Sequence, residues 1–131
     1  MKYINLTPHD LVQYNPDECR VEILGGKKTF YLTEGQKPEG TYPSSGLARA
    51  TEKKVTDDHL ESFGRQVEVH NNTYGEAVGL PEPQDGTMYI VSVQTAKAAL
   101  YRNDLLVVDD TVRNEEGRIV GYTSFAHIKQ P

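Results

Sequence analysis

Short runs of alternating or apolar residues, separated by turn residues, follow one another along most of the chain. Such a pattern predicts a protein built mostly of β-strands. The run from Thr87 to Val93 is continuously apolar or β-branched, so we expect a core strand buried on both faces. The other predicted strands are Lys2 to Leu6, Leu11 to Tyr14, Val21 to Leu24, Lys27 to Leu32, Leu47 to Val55, Val67 to Val69, Tyr74 to Val78, Asp104 to Val108 and Arg118 to Ile128.

Two pairs of turn residues predict hairpins. Gly25-Gly26 lies between two strand-like runs, and glycines supply the positive φ angles of a two-residue hairpin turn. Asn71-Asn72 occupies a similar place before Tyr74, and asparagine tolerates the left-handed backbone such a turn needs. Between these hairpins, Asp57-Asp58 predicts the cap of a short helical turn through Phe63.

Two segments predict loops and one predicts a helix. The Gly, Pro and Ser content from Thr33 to Gly46 indicates a long loop without regular structure. Two prolines between Gly79 and Gly86 exclude that stretch from a sheet interior. Thr95 can cap the alanine-rich segment AKAALYRND, which predicts one main helix over about residues 95–103.

Together these elements predict an α+β fold with a mostly antiparallel sheet or a partly open barrel. The antiparallel character follows because most connections are too short for parallel crossovers. A length of 131 residues is typical of one domain, so we expect a single domain spanning residues 1–131.

Composition narrows the class of protein. The net charge of −5 argues against general binding to duplex DNA, because that affinity comes from cations that neutralise phosphates. No apolar run approaches the length of a membrane span, and the N-terminus lacks a signal-peptide pattern. Cys19 is the only cysteine, which excludes an internal disulfide and fits a reducing cytoplasm. We therefore expect a soluble cytoplasmic protein without membrane partners.

The sequence contains no recognisable catalytic, metal or cofactor motif. The serines match neither the nucleophile elbow nor the SxxK arrangement, and Gly25-Gly26-Lys27-Lys28 lacks the spacing of a phosphate-binding loop. The histidines are not spaced like metal ligands on one helix or loop. They are His9, His59, His70 and His127. We predict no catalytic residues, no metal and no cofactor, and read His9 as a cap of local backbone or a pocket residue.

Arginines beside aromatic residues are the most suggestive candidates for binding. A guanidinium group matches phosphate with two hydrogen bonds, and an aromatic face stacks on a base. The alternative is that the arginines pair with the surplus carboxylates and the tyrosines fill the core. The predicted ligand-binding residues are Arg49, Arg102, Arg113, Arg118, Tyr42, Tyr89 and His9.

Several segments spread over most of the chain resemble a family of small bacteriophage and actinobacterial proteins of unknown function. These segments are INLTPH (4–9), PSSGLAR (43–49), GLPEP (79–83), YIVS (89–92), DLLVV (104–108) and VRNEEGRIVG (112–121). The resemblance implies a phage protein in the cytoplasm of a bacterial host. By analogy with other small phage proteins, it suggests an anti-defence role in which nucleotide immune signals are sequestered.

Three functions follow as hypotheses. The first is a homo-oligomeric phage protein that sequesters a cyclic oligonucleotide or cyclic ADP-ribose type of messenger without turnover. The second is a nucleotide phosphodiesterase or hydrolase that uses a histidine and a carboxylate as acid and base. The third is an interaction or assembly module that acts through a sheet edge or the GLPEP loop.

Overall fold

A computed structural model describes residues 1–129, which are rich in β-strands and contain one short α-helix. A 3-10 turn covers Pro16–Glu18, and helix α1 covers Val93–Ala98. The strands are β1 (Lys2–Asn5), β2 (Leu11–Gln13), β3 (Arg20–Leu24), β4 (Lys27–Tyr31), β5 (Gly40–Tyr42), β6 (Arg49–Ser62), β7 (Arg65–Val78), β8 (Thr87–Ile90), β9 (Leu105–Arg113) and β10 (Ile119–Ala126).

Six strands form a nearly closed barrel in the order β1-β8-β9-β10-β2-β5. A single bridge between Asn5 and Ser44, just after β5, joins the two ends of this order. The rings of Tyr3 on β1 and Phe125 on β10 stack with their centroids 5.7 Å apart. Because β1 and β10 are not neighbours in the sheet, this contact crosses the barrel interior and confirms that the sheet curls.

The sheet is mixed, and the prediction of antiparallel character holds for only part of it. The pairs β3–β4, β6–β7, β9–β10 and β2–β5 are antiparallel. The pairs β1–β8, β8–β9, β4–β9 and β10–β2 are parallel. Short connections constrain only strands that follow each other in the chain, whereas most parallel partners here are far apart in sequence. Between β8 and β9, α1 supplies the crossover that a parallel pair requires.

Helix α1 is shorter than predicted and begins earlier. Ser92, and not Thr95, caps it, because Ser92 Oγ accepts a hydrogen bond from the Thr95 amide at 3.2 Å. Thr95 lies buried inside the helix and donates to the Ala48 carbonyl oxygen. The helix ends where Ala99 leaves helical geometry, so the predicted extension to residue 103 is wrong.

Strands β6 and β7 form a long two-stranded ribbon that includes most of the strands predicted at Leu47 to Val55, Val67 to Val69 and Tyr74 to Val78 but replaces the predicted helical turn and the second hairpin. The chain reverses at Phe63 and Gly64, which both have positive φ. The predicted hairpin at Asn71-Asn72 is wrong, since these residues pair with Val55 and Lys54 in the ladder. The helical turn predicted from Asp57 is also wrong. Most side chains on both faces are exposed, so the polar residues around Asp57 and Asn71 carry no alternation that would reveal a strand there.

The remaining connections agree with the sequence except in one place. Gly25 and Gly26 make the predicted β3–β4 turn with positive φ. No strand lies between Val78 and Thr87, as the prolines there predict. The predicted structureless loop from Thr33 to Gly46 instead contains β5, which pairs with β2. A three-residue strand that starts at a glycine is too short to produce a recognisable pattern.

Two hydrophobic clusters stabilise the fold. The larger one packs α1 and the base of the ribbon against the sheet formed by β1, β8 and the start of β9. Tyr89, Val91 and Val107 are among its buried members. The smaller one surrounds Tyr14, Phe30 and Val112, where the β3–β4 hairpin joins the end of β9.

The buried side chain of Asn5 joins the two ends of the strand order, a junction that we call the seam of the barrel. Its amide nitrogen donates to the carbonyl oxygens of His9 at 2.8 Å and Tyr42 at 2.9 Å. Its amide oxygen accepts from the Thr7 amide and hydroxyl. The Asn5 carbonyl also accepts from the amide of Ser45. One side chain therefore joins β1, the turn that follows it and the end of β5.

We predict that Asn5→Ala lowers the free energy of unfolding by about 3 kcal/mol, because the four hydrogen bonds of this buried side chain to His9, Tyr42 and Thr7 are lost. Denaturant unfolding measures this change. Asn15→Ala is the matched control, since Asn15 caps only the exposed 3-10 turn, and we expect a loss of about 1 kcal/mol. Equal losses in both variants would contradict the role given to Asn5.

Candidate functional site

A groove opens where the edge of β9 changes partner. Its first residues pair with β8 up to Leu106, and its last pair with β4 from Val112 onward. No ladder pair of the described residues covers this edge between those points. The gap forms a cavity of about 160 Å³. Its lining residues are Lys27, Lys28, Thr29, Val108, Asp109, Asp110, Thr111 and Arg113.

Asp110 lies in this gap with an unusual backbone. Its φ is +46°, a left-handed conformation that residues other than glycine rarely adopt. Neighbouring side chains hold it there, because Thr123 Oγ1 donates to its carbonyl oxygen at 3.0 Å and Ser124 Oγ donates to its carboxylate at 2.9 Å. Strained residues that are held in this way are often found at functional sites.

A second, more apolar cavity of about 230 Å³ lies between the starts of β2 and β10. These strands pair at Tyr122 and Gln13, and they pack tightly at Gly121, where an added Cβ would lie 2.5 Å from the Val12 carbonyl and the Tyr14 ring. Ahead of that contact the strands leave a space between them. The residues that line it are His9, Asp10, Leu11, Val12, Val108, Thr111, Ile119, Val120, Gly121 and Tyr122.

The two cavities are neighbours, since Val108 and Thr111 line both. We call the pair the composite groove, in which the first cavity is the basic end and the second, lined by aliphatic side chains, is the apolar end. This combination suits a ligand with an anionic group and an apolar ring, because small-molecule sites are mostly apolar with a few polar groups that fix orientation.

Three cations and two carboxylates set the charge at the basic end. Lys27, Lys28 and Arg113 outnumber Asp109 and Asp110. A guanidinium nitrogen of Arg113 donates to the Gly117 carbonyl at 2.6 Å, which fixes the side chain against the β9–β10 turn. A positioned arginine still has further N–H groups for a phosphate.

At the apolar end, Tyr122 is buried and the Asp10 carboxylate already accepts a hydrogen bond. Burial raises the pKa of Tyr122, and the nearby Tyr42 and Glu39 raise it further, so its hydroxyl stays neutral. This hydroxyl donates to Gln13 Oε1 at 3.1 Å. The Asp10 carboxylate accepts from the Ser44 amide at 2.9 Å, which ties the His9-Asp10 turn to the loop after β5.

The structure brings together two of the seven residues predicted to bind a ligand. Arg113 and His9 line the neighbouring cavities. Tyr42 lies on β5 beside Tyr3 and lines a separate depression. Arg118 is exposed and pairs weakly with Glu116 at 3.7 Å, while Arg49 starts the ribbon.

The other two predicted residues, Tyr89 and Arg102, have structural roles. Tyr89 is only 1% exposed, so it offers no ring face to a base. Arg102 makes two hydrogen bonds of 2.8 Å to the Asp104 carboxylate and one to the Pro81 carbonyl. Its guanidinium group is therefore occupied by a structural pair.

Sequence reasoning missed the two lysines of the groove. Lys27 and Lys28 directly follow Gly25-Gly26, and they are not predicted as a phosphate-binding loop because the spacing does not match that motif. Two adjacent lysines after a tight turn were the available signal, because a hairpin end projects them beyond the sheet. Their proximity to Arg113 depends on the parallel β4–β9 pairing, which is not visible in the sequence.

Two searches of the described residues found no further site chemistry. Across residues 1–129, no group of three or more His, Cys, Asp or Glu side chains is placed to hold a metal ion. In the same range, no helix has both the length and the apolar character needed to cross a membrane. Comparison with known proteins found no family model, no curated protein and no solved structure that matches the chain.

The Arg102–Asp104 pair gives a prediction about pH. The hydrogen bonds from Arg102 lower the pKa of Asp104 below its ordinary value, and the side chains are only 11% and 10% exposed. The pair's stabilisation is therefore complete above the pKa of the unfolded chain and is lost as the pH falls through the lower pKa of the folded protein. We expect Asp104→Asn to lose about 3 kcal/mol at neutral pH and to show a weaker acid dependence.

Urea unfolding at several pH values measures both effects. Glu116→Gln is the control, because its ion pair with Arg118 is exposed, and we expect a stability within about 0.5 kcal/mol of the wild type. An Asp104→Asn variant as stable as that control would contradict the structural role of the pair.

Proposed function

We propose that the protein binds a small nucleotide-type ligand in the composite groove and holds it without turnover. The observation that carries this proposal is that a basic cavity and an apolar cavity share Val108 and Thr111 in their linings. A phosphate would bind Lys27, Lys28 and Arg113, and the apolar cavity would take the base or sugar.

Three features of the groove support an anionic ligand. The cations come from β4 and β9, which pair in parallel beside the gap. Arg113 is oriented by Gly117 before any ligand arrives, which reduces the ordering cost of binding. The exposed edge of β9 adds backbone groups that a strand partner would otherwise occupy.

The geometry favours binding over catalysis. A hydrolase at this site would use His9 and Asp10 as acid and base. The Asp10 carboxylate, however, accepts a hydrogen bond from the Ser44 amide, and the Asp110 carboxylate accepts one from the Ser124 hydroxyl. Both carboxylates thus have positioning partners, and neither forms a hydrogen bond with His9 among the described residues.

The identity of the ligand is proposed from the resemblance to phage proteins. A phage protein of this kind would sequester a cyclic oligonucleotide or a cyclic ADP-ribose derivative, and would thereby prevent the messenger from activating a host immune effector. Sequestration needs tight binding and slow release, with no chemical step. The basic and apolar ends of the groove provide contacts for the two parts of such a messenger.

We predict that calorimetry against a panel of mono-, di- and cyclic nucleotides detects binding by the wild-type protein. Arg113→Gln and Lys28→Gln should each weaken the affinity by about tenfold or more, since each removes a charge-assisted contact. Arg118→Gln removes an exposed arginine outside the groove and should leave the affinity unchanged. No heat with any member of the panel would refute the proposal.

A second measurement separates sequestration from hydrolysis. We expect the bound nucleotide to be recovered intact after long incubation with the protein and denaturation of the mixture. Product formation that is abolished by His9→Ala would instead establish the hydrolase alternative.

A further inference from the structure

The β6–β7 ribbon lies outside the barrel and has two free edges. Its strands pair only with each other among residues 1–129, and each contains 14 residues. Its apolar side chains are widely exposed, including Val55, Leu60 and Tyr74. An isolated two-stranded ribbon is marginally stable in water, and exposed edges tend to pair with another strand. These features point to a partner along an edge.

The charge of the ribbon argues for a protein partner. Four cationic side chains stand against six carboxylates between Arg49 and Val78. A phosphate backbone would be repelled by this net negative charge. Positive and negative side chains also form separate groups along β6. This grouping determines which strand can pair with its edge.

The centre of β6 carries a self-complementary order of charges. Lys53 and Lys54 precede Val55-Thr56, and Asp57 and Asp58 follow. Two such strands in antiparallel alignment place the lysines of each beside the aspartates of the other. Opposite charges in facing positions stabilise a strand pair, and like charges destabilise it.

We propose that two copies of this chain associate through antiparallel pairing of their β6 edges, about a two-fold axis at Val55, which faces Val55 of the second copy. Lys53 then faces Asp58 of the second copy and Lys54 faces its Thr56-Asp57 bulge, and the symmetry repeats both contacts. The result is a four-stranded sheet that joins two barrels. A two-fold contact of this kind is closed and does not grow into a fibre.

The bulge in β6 makes this alignment sterically consistent. Asp57 is the extra residue of the β6–β7 ladder, between Thr56 and Asp58. In an unbroken strand, residues five positions apart turn their backbone groups to opposite edges. The bulge reverses the alternation beyond it, so Lys53 and Asp58 can both face the second copy.

The same alignment covers exposed apolar groups at the ends of the ribbon. Phe63 at the turn is fully exposed and has a φ of +49°. In the proposed pair it lies beside position 48 of the second copy, at the base of that ribbon. Leu47 and Val78 are both about half exposed there. The pairing therefore buries a Phe63 contact at each end, in addition to the central ion pairs.

Charge reversal tests the proposal on the full chain. Sedimentation should show a dimer of the wild-type protein. Lys53→Glu/Lys54→Glu and Asp57→Lys/Asp58→Lys should each weaken dimerisation by about tenfold or more, since four attractive pairs become repulsive. The control is Glu115→Lys/Glu116→Lys, a double reversal in the β9–β10 turn, which should leave the dimer unchanged. A monomeric wild-type protein at millimolar concentration would overturn the proposal.

Mixing the two ribbon variants distinguishes a lost contact from a misfolded ribbon. Lysines at all four positions of one variant should pair with carboxylates at all four positions of the other, so native mass spectrometry should detect a mixed dimer. Retention of both homodimers without a mixed species would overturn the proposed alignment. Nucleotide calorimetry on each variant shows whether the groove is intact, so failure here is separable from failure of the proposed ligand site.

Discussion

The buried amide of Asn5 is the constraint on which the barrel depends. Only one bridge, between Asn5 and Ser44, joins β1 to the chain beyond β5 in the described residues, and backbone pairing alone leaves that seam weak. The Asn5 side chain compensates by hydrogen bonding to His9, Tyr42 and Thr7. A buried amide has two donors and an acceptor, and here all find partners, so its burial specifies one closure of the sheet.

Closure of the barrel also shapes the composite groove. The turn that Asn5 holds contains His9, and Asp10 is tied to Ser44, so one wall of the apolar cavity is fixed by the seam. The opposite wall depends on β9, which pairs with β8 at its start and β4 at its end. One strand cannot pair fully with two parallel partners on the same edge. The gap between them is where the basic residues meet.

The barrel and the ribbon differ in what covers the unpaired backbone groups at their strand edges. In the barrel, closure leaves most strands with two neighbours, and the core is dry and apolar. In the ribbon, neither edge is covered by the described residues, and charges of both signs replace a core. Lysines on an edge usually prevent association, but the segregated lysines and aspartates of β6 admit one antiparallel alignment. The site and the ribbon thus use separate parts of the chain.

The sequence by itself determined the β-rich class, the Gly25-Gly26 hairpin, the exclusion of Gly79 to Gly86 from the sheet and the core strand that contains Tyr89. These features depend on local chemistry, namely backbone freedom, missing donors and apolar runs. Tertiary structure alone decided the parallel pairings, the full length of the ribbon and the placement of Lys28 and Arg113 in one cavity. The physical reason is that strand partners distant in the chain are chosen by burial and hydrogen bonding in three dimensions. A strand segment exposed on both faces, such as the second half of β6, leaves no periodic pattern to read.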